Sequence, residues 1–207
     1  MTLDHSPRGG FTLMELLAVI AIIALLAGLI FPAVARVKDN ADTTKCLSNL
    51  KQIGASINLY CAEHNNTLPY IETDPTNPVY PAEAKVEPIG EVLKPYGVTA
   101  EVLKCPADLK AKLNYTKSGE GGKSFFEEKK TSYEWRPTFD GELLNAPKIY
   151  TPRGSFAVPM NRVRLLADYV NAGEAPHQRT PEASSYNSLQ ADGSVRTLTV
   201  SKAEAKK

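Results

Sequence analysis

From Leu16 to Ala35 the chain runs LLAVIAIIALLAGLIFPAVA without a charge, headed by a lone acid, Glu15. A bilayer core about 30 Å thick is crossed by roughly 20 apolar residues of helix, so the stretch predicts a membrane-spanning helix. A carboxylate at the edge of such a run costs about 3 kcal/mol to insert and calls for a function and a partner. Arg8 stands before the run and Arg36 after it. The short leader is expected to stay cytoplasmic, and everything beyond Arg36 is expected outside.

Gly10, Phe11, Thr12, Leu13, Met14 and Glu15, followed by the apolar helix, closely resemble the processing site of type IV prepilins and of the pseudopilins of type II secretion systems. The resemblance implies a membrane-embedded prepilin peptidase that cuts between Gly10 and Phe11 and methylates the new amino terminus at Phe11. Glu15 then becomes the fifth residue of the mature chain, and Pro32 falls where many pilins have a helix-loosening proline. In the family the carboxylate pairs with the terminal amine of a neighbouring subunit, which makes Phe11 and Glu15 assembly residues. The residues themselves agree: Gly9 and Gly10 leave the scissile bond flexible and unhindered, and an acid four residues from a free amine can pair with one. Two other readings are a secretory signal cut after Ala33-Val34-Ala35 and a plain membrane anchor. The mature terminus separates the three: Phe11, Arg36 or Met1.

Removing leader and membrane segment leaves about 170 residues, enough for one globular domain with a core. The expected division is a leader at 1–10, a transmembrane and assembly helix at 11–35, and an exported domain at 36–207 that includes the rest of the helix. Lys and Arg total 24 against 23 acids, so no net field draws the chain to nucleic acid. Fifteen prolines and thirteen glycines point to a loop-rich middle.

Ala33 to Glu63 holds no proline, and Cys46, Leu50, Ile53, Ile57 and Tyr60 or Cys61 recur at the three-four spacing of a one-faced helix. Lys45, Asn49, Lys51, Gln52 and Asn58 fall on the other face, for water or subunit contact. One helix from Phe11 to His64 would be roughly 80 Å long, stopped by His64-Asn65-Asn66 and Pro69. A short helix is expected at Ile89 to Tyr96, closed by Gly97, and a mobile loop at Lys117 to Lys130. Strands are expected at Ser132 to Arg136, Val163 to Asp168, Tyr186 to Ala191 and Val195 to Val200. Asp192-Gly193 joins the last two, and a bulged turn would pair Leu189 with Val195. The fold class is α+β, a long amino-terminal helix packed on a small antiparallel sheet, as in pilins. Lys130, Tyr133, Trp135, Arg136 and Phe139 suit either a polymer-binding face or half a core strand.

Cys46 and Cys61 lie about 22 Å apart on one helix, beyond the roughly 7 Å reach of a bridge. A disulfide must therefore use Cys105; its partner stays open, as does the alternative of three free thiols. A second resemblance bears on that choice. Cys46-Leu-Ser-Asn-Leu-Lys-Gln-Ile-Gly54, Tyr60, Cys105-Pro-Ala-Asp108, Ser132-Tyr133, Asn187 and Asp192-Gly193 are similar to a group of bacterial pilin-like proteins. The resemblance favours Cys46 as the partner of Cys105. The group's carboxy-terminal motif is His, nine residues, then Asp-Gly, whereas fourteen residues separate His177 from Asp192 here.

No cofactor is expected. Calcium is a weaker alternative, because some pseudopilins bind it in a carboxy-terminal loop and Asp168, Asn187 and Asp192 offer oxygens. No motif supports an enzyme: Ser185, His177 and Asp168 lack a sharp-turn nucleophile sequence, and Gly119-Glu-Gly-Gly122 lacks the rest of a phosphate loop. The resemblance implies a structural subunit of a type IV pilus-like or type II secretion pseudopilus filament in the inner membrane. Its partners would be prepilin peptidase, other pilin or pseudopilin subunits, the inner-membrane assembly machinery and inner-membrane lipid, with the soluble domain in the periplasm or at the cell surface. The alternative is a membrane-tethered extracytoplasmic binding module that uses the signal only for sorting.

Overall fold

The three-four pattern of residues 46–61 becomes the buried face of helix α1, Leu13–Glu63, in a computed structural model. The structure describes residues 13–72, 80, 84–111, 123–152, 154–170, 175–177 and 183–201, with the side chains at 29, 31–33, 35 and 36 outside that description. The chain forms two compact units, Met1–Lys38 and Asp39–Lys207. Within the second, Cys46, Leu50, Ile53, Ile57 and Cys61 are all buried; the leucine and the two isoleucines each contribute roughly 1.5–3 kcal/mol by leaving water. The helix ends where Asn65 and Asn66 turn left-handed, φ 52° and 60°, a conformation asparagine tolerates better than most residues.

A four-stranded antiparallel sheet receives this face. Its order is β1 (Tyr133–Trp135), β4 (Arg164–Asp168), β5 (Ala183–Gln190), β6 (Val195–Ser201). The expected α+β, pilin-like arrangement of a helix on a small antiparallel sheet is what the chain adopts. Gly54 permits the close approach: a Cβ there would sit 2.9 Å from Leu189 Cδ1 of β5. Leu189 pairs with Val195, and Gly193 has φ 79°, so the bulged register expected for Asp192-Gly193 is the one formed. Tyr133, Trp135 and Phe139 are buried, which settles that aromatic run as core.

Three expectations give way. Asn49, placed on the water face, is fully buried, and its Nδ2 donates to Lys104 O at 3.0 Å. Part of the segment read as a mobile loop is helix: α4, Phe125–Lys129, starts at Ser124, whose side chain and that of Glu127 form a reciprocal capping box. A two-stranded sheet, β2 (Lys148–Thr151) with β3 (Gly154–Ala157), occupies a stretch read as loop. The helix expected at 89–96 forms as α2, Ile89–Leu93, followed by a 3-10 turn at Lys94–Tyr96 that Gly97 closes at φ 87°. A further short helix, α3, spans Pro106–Ala111.

Candidate functional site

Gly10 and Phe11 lie outside the described residues. Glu15 lies in α1, two residues after its first described residue, Leu13. Every described side chain from Leu13 to Leu26 is exposed, Leu16 by 59%, Ile20 by 56% and Ile23 by 59% among them. A helix apolar on all sides is suited to lipid or to packing among partners. Among the described residues, no helix is long and apolar enough to cross a membrane; the undescribed side chains fall inside the expected span. Pro32 lies within α1, with its side chain outside the description.

The densest chemistry lies in the second unit, where Cys46, Cys105, Asp168 and His177 meet. Their ligand-type atoms all lie within 4.8 Å of one another, and all four residues are buried. Each comes from a different piece of chain: α1, the residue before α3, the end of β4, and a segment bridged to β5 through His177 and Ser185. Cys46 and Cys105 are joined as a disulfide with Cα atoms 5.3 Å apart. His177 Nε2 lies 3.6 Å from Cys105 Sγ and 2.9 Å from Asp168 Oδ2. Asn187 N also donates to Asp168 Oδ2, at 2.6 Å.

The hydroxyl of Thr43 lies against the other ring nitrogen, 3.2 Å from His177 Nδ1 and 2.9 Å from Asp39 O. The 2.9 Å contact of Nε2 with Asp168 Oδ2 holds a hydrogen between them. With both ring nitrogens engaged, Ser185 Oγ is buried without a hydrogen-bond partner among the described residues. Ser185, His177 and Asp168 thus do not make a nucleophile–base–acid relay.

Asp108 organises the approach of Cys105. Its carboxylate accepts from Phe125 N, Phe126 N and Ser132 Oγ, at 3.1, 3.0 and 2.8 Å. Ser132 Oγ accepts in turn from Cys105 N at 2.9 Å. The Cys-Pro-Ala-Asp and Ser-Tyr landmarks are in this way one hydrogen-bonded unit. Burial pushes the Asp108 pKa up, against the lowering effect of those donors.

The three oxygens considered for calcium serve separate tasks. Asp168 is in the buried cluster, and Asn187 Oδ1 accepts from Thr197 Oγ1 at 2.8 Å. Asp192 Oδ1 accepts from Ser194 Oγ and N at the exposed hairpin tip, contacts that hold its carboxyl below the usual range. Among the described residues, the group of His, Cys, Asp and Glu able to hold a metal ion is the Cys46, Cys105, Asp168 and His177 set. Sequence reasoning missed Thr43 and the meeting of His177 with Cys105. The spacing from His177 to Asp192 gave no hint, because the histidine is placed by a bridge to Ser185.

Residues 5–31 match the family model for the prokaryotic N-terminal methylation motif. The type II secretion system core protein G of Pectobacterium carotovorum subsp. carotovorum is 27% identical over 106 residues, 45% of this chain and 65% of that protein. Its namesake in Klebsiella michiganensis is 32% identical over 82 residues, 38% of this chain and 58% of that protein. The chain thus spans less than two thirds of the length of these relatives. No solved structure matches. The chain matches the prokaryotic N-terminal methylation motif at residues 5–31 and is similar to type II secretion system core protein G.

Proposed function

We propose that this chain is a structural subunit of a type II secretion pseudopilus, cut between Gly10 and Phe11, methylated at Phe11 and assembled in the inner membrane. The observation that carries this reading is the methylation motif at residues 5–31 in a chain homologous to pseudopilin G. The exposed apolar surface of α1 supports it, since a helix apolar on all sides needs lipid or neighbouring helices around it. Glu15, two residues after the first described residue of that helix, offsets the new amine of an adjacent subunit in a low-dielectric bundle. The partners on this reading are prepilin peptidase, other pseudopilins, the assembly machinery and inner-membrane lipid, and residues 36–207 lie outside the cytoplasm.

Glu15→Ala is the test. Membrane association should be unchanged, while incorporation into filaments, measured by crosslinking to co-expressed subunits, should fall at least tenfold, the effect of roughly 1.4 kcal/mol. Wild-type incorporation would refute the role given to Glu15 and favour a tethered module instead.

A further inference from the structure

Two features around the Cys46–Cys105 bridge are those of a metal-ligand set. The first is the histidine. Nδ1 lies 3.2 Å from Thr43 Oγ1, an outer contact of the kind that orients a ligating imidazole and leaves Nε2 as the coordinating atom. Nε2 is also the atom that faces Cys105 Sγ and Asp168 Oδ2. The second is the carboxylate. Asp168 is 1% exposed, its Oδ2 is held by Asn187 N, and its Oδ1 is buried with no hydrogen-bond partner among the described residues. A buried oxygen left unpaired is destabilising, and a cation bound by the carboxylate would remove that cost.

We infer that in the reduced protein Cys46, Cys105, His177 and Asp168 bind one divalent cation of the zinc class, as the alternative to the disulfide. Two sulfurs, one imidazole nitrogen and one carboxylate oxygen form a four-coordinate set that suits zinc. Calcium takes 6–8 oxygens and is disfavoured. Bonds of about 2.0–2.3 Å put tetrahedral ligand atoms roughly 3.3–3.8 Å apart, and these atoms already lie within 4.8 Å of one another. Four protein ligands close the site, so the cation would be structural. It would tie α1, the Cys105 segment, β4 and the His177 segment together before the bridge forms.

The exchange balances with a dithiol as reductant. The dithiol loses two electrons and two protons and becomes a disulfide; Cys46 and Cys105 gain them as the S–S bond breaks. Cation binding then forms two metal–sulfur bonds, one metal–nitrogen bond and one metal–oxygen bond. It releases both thiol protons and the proton held between Nε2 and Oδ2. The inference is independent of the pseudopilin reading, because it concerns only residues of the second unit.

The test uses the full chain in detergent micelles, reduced with a phosphine, desalted under argon and titrated with Co2+ alone. One equivalent should produce thiolate-to-cobalt charge-transfer and tetrahedral ligand-field bands, which Zn2+ then abolishes. Zn2+ should also raise the melting temperature of the reduced chain and leave that of the oxidised chain unchanged. Cys105→Ser and His177→Ala should lose the tetrahedral signature, Asp168→Asn should bind at least tenfold more weakly, and Cys61→Ser should behave as wild type. If reduction alone loosens the fold, recovery of native circular dichroism on adding Zn2+ supports the site, and failure to recover counts against it. Absence of the bands in a folded reduced chain, equal binding by the oxidised chain, or loss of the bands in Cys61→Ser would overturn the inference.

Discussion

Asp108 gathers three donors from two parts of the chain while 2% exposed. Removing it leaves two amides and a hydroxyl to find new partners in the interior. Asp108→Ala should therefore cost about 3 kcal/mol in urea unfolding, whereas a loss under 1 kcal/mol, roughly that of a surface change, would show that the network is dispensable. Asp140 contributes a pH dependence. Trp135 Nε1 and Ile71 N donate to it, but burial outweighs them and raises its pKa from 3.8 to about 7. The folded state then binds the proton more tightly than the unfolded state, so this group's contribution is most favourable below about pH 4 and is lost as pH rises to about 7. Asp140→Asn should flatten the decline in stability between those values; an unchanged slope would assign it to another group. Little of this was legible in the sequence. An Asp beside a Pro-Ala step does not announce that its partners are amides seventeen and eighteen residues away. Asn49 misled for a similar reason: its partner is a backbone carbonyl, Lys104 O, at a separation of 55 residues.

The α1 stripe was legible because one face of that stretch is buried, and the β5–β6 register because Asp192-Gly193 fixes the turn. Strands β2 and β3 were missed because they show no such contrast: β3 is exposed throughout and β2 nearly so. Helix α4 had a legible signal, Ser124 followed by Glu127, and it was hidden by the neighbouring glycines and charges. Gly54 is the tightest point between helix and sheet. Gly54→Val should destabilise the protein by about 2 kcal/mol through overpacking against Leu189, read as a shifted urea midpoint. A neutral result would mean that Leu189, though fully buried, has room to move.

At the scale of the whole molecule, the two units differ in what they bury. Residues 39–207 bury a core around the disulfide, the Asp108 network and the sheet. The first unit keeps its side chains from Leu13 to Leu26 exposed and carries the methylation motif. That contrast is why the amino-terminal assignment was legible and the chemistry of the second unit was not. A processing site is a local string of residues, whereas Cys46, Cys105, Asp168 and His177 are brought together by four separate segments. If the opening stretch is cut and then used for assembly, mass spectrometry of the mature amino terminus, from membranes of cells that contain the prepilin peptidase, will show it. The expected result is a chain beginning at N-methylated Phe11 that reverts to Met1 when the peptidase is deleted. A mature chain beginning at Arg36, or at Met1 with the peptidase present, would contradict it.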